Sequence, residues 1–315
     1  MTGVSERGPT PTVLSIVIIT KDTRELLEGL LGSIERDPSL RSFGTEIIII
    51  DNASGDGTAD LVKGSFPRAG YVRNDRNMGF AASVNQAVRL ARGSYILLLN
   101  SDTLLIEGEV AKMIAAAGQI ADLAVMGPQL VYEDMGVQRS VAAIPGLAAE
   151  LLPGLQRVNH SGPDSGRGTF RDVESLIGAA IMIRKEAFDD LNGFDERFFF
   201  FLEETDFCLR ARLKGYRVVF FPGARIVHFQ GRTVRKTWVK GRMEYNISLR
   251  KFIRKHHGRV YALAFDFVKF LKAFIFVVVM PFLLFGSRSR LRYSYYLKLV
   301  IWYLRMCPDN AGLRA

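Results

Sequence analysis

Cysteine is nearly missing from this chain. Cys208 and Cys307 are the only two in 315 residues, which is too few for a disulfide framework and gives no metal-type pair. A reducing, cytoplasmic setting is the simplest reading. Histidine is also scarce, with four residues. No GxGxxG follows a strand-like segment, which argues against a dinucleotide-binding dehydrogenase. Lys21, Asp22, Thr23 and Arg24 follow the first strand-like run but supply no triphosphate-binding loop, which argues against a nucleotidyltransferase. Residues 1–12 lack the apolar core of a signal peptide and read as a loose tail. The run at 273–285 is apolar throughout, yet it is about half of the ~20 residues needed to span hydrocarbon. There is no internal repeat and no low-complexity run.

What is present is a strongly basic chain, with a net charge of +10 and 48% hydrophobic residues. Arg and Lys crowd the region after about residue 225, mixed with apolar runs. That mixture points to an anionic membrane surface. Nucleic acid is set aside as a partner, because no groove-binding or base-stacking motif accompanies the charge.

The first hundred residues alternate strand and helix. Buried strands are expected at 13–20, 46–51, 69–72 and 95–99, with helices at 23–36, 57–66 and 80–92 between them. Such alternation predicts a mostly parallel sheet with helices on both faces and ligands at the carboxyl ends of the strands. From 130 to 172 the pattern weakens into loops expected over the acceptor side. Order returns with a strand at 173–184, a helix at 203–213 and strands at 218–221 and 225–229. The expected organisation is a tail at 1–12, a catalytic domain at 13–237 and a helical, membrane-associating region at 238–315. Its basic clusters (Arg250, Lys251, Arg254, Lys255, then Arg288, Arg290, Arg292) flank the apolar stretches. Helices lying in or dipping into one leaflet fit this pattern best. A tilted span and an ordinary packed helix pair are the alternatives.

Five groups of residues carry candidate chemistry. Asp51 ends the second strand and precedes a Gly-rich turn, so its carboxylate can accept from a base or ribose, or simply hold the turn. Asn77 and Gly79, before a helix carrying Asn85, can hold a nucleobase and diphosphate at a helix N-terminus. Asn100, Ser101 and Asp102 follow three leucines. A carboxylate there needs a cation or donors, and Mg²⁺ or Mn²⁺ bound by one carboxylate plus substrate phosphates would suit it. Asp195, Glu203 and Glu204 lie around four consecutive phenylalanines, where a general base beside a water-poor wall could take an acceptor's proton. His228 ends an apolar strand and is either a metal ligand or a structural histidine.

Taken together, these segments resemble the family 2 inverting glycosyltransferases of GT-A fold, particularly the rhamnosyltransferase-like branch. The matching text is SIVIIT (15–20), EIIIIDNASGDGT (46–58), NMGF (77–80) with Asn85, LLLNSDT (97–103), GAAIMIR (178–184), GFDERFFFFLEETDFCLR (193–210), residues 215–221 and His228. The resemblance implies an α/β GT-A nucleotide-diphospho-sugar transferase fold with a Rossmann-like sheet. It implies Thr20, Asp51 and Asn77 at the nucleoside, Asp102 and His228 at Mg²⁺ or Mn²⁺, and Gly178 and Ala179 in the sugar pocket beside Asn100 and Ser101. Asp195 falls on the acceptor side, and the base falls in the Glu203–Glu204 pair. Where the family commonly has Glu–Asp, this chain has Glu–Glu. The implied donor is a dTDP- or UDP-sugar, L-rhamnose being one candidate. The implied acceptor is a glycan or polyprenyl-linked glycan at the inner face of the cell membrane. The alternative is a catalytically weak nucleotide-sugar-binding scaffold within a glycan-assembly complex.

Overall fold

The computed structural model describes residues 13–151, 170–229, 238–279 and 287–313. The expected tail and the later part of the 273–285 run lie outside these residues.

β1 (Leu14–Thr20) is buried along its whole length, as a run of β-branched residues with no polar alternation requires. α1 (Arg24–Arg36), β2 (Thr45–Asp51), α2 (Thr58–Ser65), β3 (Gly70–Arg73), α3 (Phe80–Leu90) and β4 (Tyr95–Asn100) follow, within one or two residues of the sequence expectation. β1 pairs in parallel with β2 and β4, and β2 with β3. The chain continues through β5 (Thr103–Leu105), α4 (Glu109–Ala117), β6 (Leu123–Val131), β7 (Val141–Ala142), α5 (Leu147–Leu151), β8 (Arg171–Asp172), β9 (Ser175–Leu176), β10 (Ala180–Arg184), α6 (Lys185–Asp190), α7 (Glu203–Leu213) and β11 (Arg217–His228).

The sheet is mixed rather than mostly parallel. Its order is β3-β2-β1-β4-β10-β6-β11-β5. β10 runs antiparallel to both β4 and β6, and β11 runs antiparallel to β5. Residues buried on both faces form continuous apolar runs whichever way their neighbours point, so composition carried no sign of the reversal. The expected strand at 173–184 breaks at 177–179, where the chain leaves β9 for β10. The strands expected at 218–221 and 225–229 are one strand, with its register shift between Phe221 and Arg225. Pro222 and Gly223 occupy that irregularity.

Helices cover both faces, as expected. α1 and α4 contribute to one buried cluster with Leu27, Leu31 and Val110, and α3, α6 and α7 to the other with Val84, Phe188 and Phe207. The C-terminal region holds α8 (Trp238–Val279), broken at Gly258 (φ 82°), and α9 (Ser287–Leu304). The first half of α8 packs on the α/β part. Phe252 is fully buried, and Leu249, Ile253 and Phe265 join Phe198 and Leu202 in one cluster. Each fully buried Phe contributes about 1.5–3 kcal/mol. Beyond Gly258 the helix leaves an apolar side open: Val260, Leu263, Phe267, Leu271, Phe274 and Val278 are all exposed. No helix among the described residues is long and apolar enough to cross a membrane.

Candidate active site

The carboxyl edges of β1, β2 and β4 meet in one stitched turn system. Thr20 Oγ1 lies 2.8 Å from Thr23 Oγ1, which donates to Ser101 Oγ at 2.9 Å. This hydroxyl chain ties the end of β1 to the turn that carries Asp102. Asp51 is wholly buried. Its Oδ1 accepts from the Ser54 amide at 2.8 Å and its Oδ2 from the Tyr71 hydroxyl at 2.5 Å. Burial and this carboxylate together push the Tyr71 phenol upward, so Tyr71 stays a donor. Asp51 therefore shapes the 52–57 turn before it can meet any ligand. Asn52, given no separate role from sequence, collects donors from Asn74, Met78 and Ser83 on one oxygen.

Asn77 caps its own turn, accepting from the Gly79 amide at 3.0 Å. Gly79 has φ 84°, and a Cβ there would sit 2.6 Å from the Phe199 ring and 2.7 Å from its carbonyl oxygen. Only glycine satisfies both demands. Phe80 N donates to that same Phe199 carbonyl at 2.7 Å. The two loops are thus docked on each other. Asn85 is not turned to a nucleotide in this arrangement: its amide brackets the backbone of Phe194, donating at 2.8 Å and accepting at 2.9 Å. It holds the 193–196 loop.

Asp102 and His228 are brought together by β5 and β11, whose register sets Thr103 opposite His228. The Phe229 amide donates to the Asp102 carbonyl at 2.9 Å. His228 Nε2 lies 3.6 Å from Asp102 Oδ1, too far for a hydrogen bond. Gln138, which sequence reasoning missed, explains the ring's state. Its Nε2 donates to the carbonyls of His228 (2.5 Å) and Val131 (3.2 Å), which fixes the amide orientation. Its Oε1 then faces His228 Nδ1 at 3.1 Å and can only accept, so Nδ1 carries the proton. Burial lowers the His228 pKa, opposed by Asp102, and the ring stays neutral. An Nε2 lone pair and a carboxylate oxygen are left facing each other. A carboxylate oxygen and an imidazole nitrogen so placed suit a shared divalent cation. No group of three or more His, Cys, Asp or Glu suited to a metal occurs among the described residues. The remaining ligands of Mg²⁺ or Mn²⁺ would come from substrate phosphates and water, which suits these ions. A lone glutamine in a weakly patterned stretch gave no signal in the sequence.

Glu203 and Glu204 have separated tasks. Phe201 (φ 71°) and Leu202 (φ 68°) are both left-handed immediately before them, a conformation that costs bulky residues about 1–2 kcal/mol each. Packing of Leu202 into the α8 cluster helps offset that strain. The result aims two adjacent carboxylates differently. Glu203 is buried, and its Oε2 finds no hydrogen-bond partner. Burial, then Glu204, then Glu244 push its pKa well upward, so it is held neutral. Glu204 is partly exposed, and its Cγ and Cδ would lie 3.3 and 3.4 Å from a Cβ on Gly178. The Glu204 side chain passes over a glycine that leaves it room. Burial pushes Glu204 up to about 7 against the opposing amides of the helix start. Ala179, next to Gly178, accepts from the Asn100 amide at 2.9 Å. The Glu204 and Asp102 turns therefore share residues 178–179 as neighbours. The Asn100 side chain is half-buried at this edge.

Asp195 is pinned rather than free. Arg197 contacts it at 2.6–3.1 Å and Lys255 at 2.8 Å. Burial opposes its ionisation, but these hydrogen bonds outweigh it and hold the carboxyl far below the usual range. Lys255 also meets the buried Asp206 at 2.6 Å, which Arg210 and His256 each reach at 2.8 Å. This network fastens α8 to the loop before α7.

Comparison with known proteins agrees with the geometry. Residues 15–191, more than half of the chain, match the family described as glycosyl transferase family 2. Residues 169–232 match one described as the N-terminal domain of galactosyltransferase. An uncharacterized protein of Sinorhizobium fredii is 28% identical over 231 residues, covering 70% of this chain; the chain spans only 25% of that protein. The N-acetylglucosaminyl-diphospho-decaprenol L-rhamnosyltransferase of Mycobacterium tuberculosis is 25% identical over 244 residues, covering 69% of this chain and 76% of the relative. Among solved structures, the mannosyltransferase of Pyrobaculum calidifontis in complex with GDP-Man and Mn²⁺ superposes with a TM-score of 0.58 at 16% identity. That superposition covers 95% of this chain and 90% of that one, and it speaks for the fold.

Proposed function

Because the chain belongs to glycosyl transferase family 2 and is a glycosyltransferase, we propose that it moves one sugar from a nucleotide-diphosphate donor to a hydroxyl of a lipid-linked glycan, with inversion. Glu204 takes the proton of the acceptor hydroxyl as that oxygen attacks C1, and no covalent intermediate is needed. Asp102 and His228 would hold a divalent cation, with Gln138 keeping the ring in the ligating tautomer. A bound Mg²⁺ or Mn²⁺ would supply Lewis-acid neutralisation of the diphosphate charge. Gly79 and Asn77 shape the nucleotide side, Thr20 and Ser101 brace the metal turn, and Gly178 and Ala179 line the sugar pocket.

The observation that carries this reading is the facing pair of Asp102 Oδ1 and the unprotonated His228 Nε2, 3.6 Å apart at the sheet's carboxyl edge. A dTDP- or UDP-sugar is the donor class, and L-rhamnose is the first sugar to test, since the mycobacterial relative is named for that transfer. The exposed apolar residues of α8 and the surrounding Lys and Arg support attachment to the inner face of an anionic membrane, where such an acceptor resides. The test is turnover of a panel of nucleotide sugars by the full-length protein with Mn²⁺ and in excess chelator. Turnover of one donor, abolished by chelator and in Asp102→Ala, is the expected result. Full activity in chelator would end the metal assignment, and binding without any turnover would favour the scaffold reading.

A further inference from the structure

The first half of α8 carries cations that sugar transfer does not use. Lys251, Arg254 and Lys255 stand three and four residues apart, so they share one helix face. Arg197 approaches from the loop before α7. With Phe198 and Asp309 these residues line a cavity of about 450 Å³. Three of the cations are pre-positioned. Lys255 is held by Asp195 and Asp206, Arg197 by Asp195, and Lys251 by Asp309 at 2.7 Å and by the Arg197 carbonyl at 3.1 Å. Arg254 is exposed and pairs with no carboxylate among the described residues. The lining cations Arg197, Lys251, Arg254 and Lys255 meet Asp195, Asp206 and Asp309 among the described residues, so cations outnumber carboxylates at the cavity. Asp309, an exposed carboxylate on the C-terminal turn, already places an oxyanion against Lys251.

Past the break at Gly258 the chain folds back, with Arg250 pairing to Asp266 at 2.7 Å, and this second segment offers hydrocarbon. Val260, Leu263, Phe267, Leu271, Phe274 and Val278 recur at steps of three and four and are 44–84% exposed. A cationic cavity just before the break and an exposed apolar strip just after it suit a ligand with an anionic head and a hydrocarbon tail. Converging cations, one of them an uncommitted guanidinium, suit a terminal phosphate carrying more than one charge better than a singly charged phosphodiester.

We propose that this cavity binds the terminal phosphate or diphosphate of a long-chain lipid ester, with its chain along the exposed strip of α8. The inference rests on the membrane-facing part of the proposed function and not on its transfer chemistry. Binding is therefore measured without donor or metal, so failure here and failure of sugar transfer are separate results. The experiment is sedimentation of the full-length protein with three sets of vesicles: phosphatidylcholine alone, phosphatidylcholine with phosphatidylglycerol, and phosphatidylcholine with a polyprenyl monophosphate at matched surface charge. The polyprenyl phosphate vesicles should bind at least about tenfold more tightly than the phosphatidylglycerol ones. Inorganic pyrophosphate should compete, and Arg254→Gln should lose about tenfold, the effect of one charge-assisted hydrogen bond. Lys251→Gln should lose affinity as well. Equal binding to both anionic vesicles, or unchanged binding in both variants, would overturn the site and leave only general attraction to a charged surface. Competition by pyrophosphate without any vesicle preference would identify a soluble phosphate ligand and overturn the lipid assignment.

Discussion

Replacing Glu204 by Gln removes a proton acceptor while keeping the side chain's shape, and it separates activity from stability. If Glu204 is the base, kcat should fall by about 10²–10⁴ while the donor KM changes little. The wild-type rate should follow the ionised fraction of a carboxyl pushed up to about 7. It should rise close to tenfold per pH unit below that value and level off above it. Stability should move the other way. A carboxyl raised from an ordinary 4.5 to about 7 corresponds to about 3 kcal/mol at 1.36 kcal/mol per unit. Partial exposure makes that an upper bound, so about 1–3 kcal/mol is expected. Below 4.5 the group is protonated in both states, and its protonated form suits the folded site. As pH rises the unfolded chain ionises first, and stability is lost until the folded pKa is passed. Glu204→Gln should therefore match wild type near pH 4 in urea unfolding and exceed it near pH 8. A kcat within threefold of wild type, or a stability difference that does not grow between pH 5 and 8, would refute the reasoning.

Glu203→Gln should retain most of the activity, because burial holds Glu203 neutral; a larger loss than in Glu204→Gln would swap the two roles. Gln138→Leu should weaken Mn²⁺ binding by about 10–100-fold, read by titration calorimetry, and ¹⁵N shifts of His228 should show a loss of the Nδ1–H tautomer. An unchanged tautomer would make Gln138 structural only. Gly79→Ala places a methyl group 2.6 Å from Phe199 at a left-handed φ. It should cost at least about 1 kcal/mol and loosen nucleotide affinity, and wild-type stability would show that the loop docking is not needed.

The amino-acid sequence by itself determined the strand–helix alternation through β4, because runs such as Ile47–Ile50 and the helical spacing of Leu27, Leu30 and Leu31 encode burial locally. It also marked Asp51, Asp102 and the Glu203–Glu204 pair, since carboxylates at strand ends and helix starts stand out against apolar neighbours. What it could not express was direction and partnership. β10 inserts antiparallel between β4 and β6, yet a strand buried on both faces has the same composition in either orientation. Asn85 reads as a nucleotide contact in its motif, but the fold spends its amide on Phe194, 109 residues away. Gln138 sits 90 residues from the histidine it orients, a relation no local pattern records. The two glutamates are neighbours of one chemical type. Only the left-handed turn at Phe201 and Leu202, and what each side chain then met, separated a neutral buried acid from a carboxylate facing Gly178. Composition fixes which groups are costly to bury, whereas tertiary contacts decide which of those costs are relieved and which are left to act on a substrate.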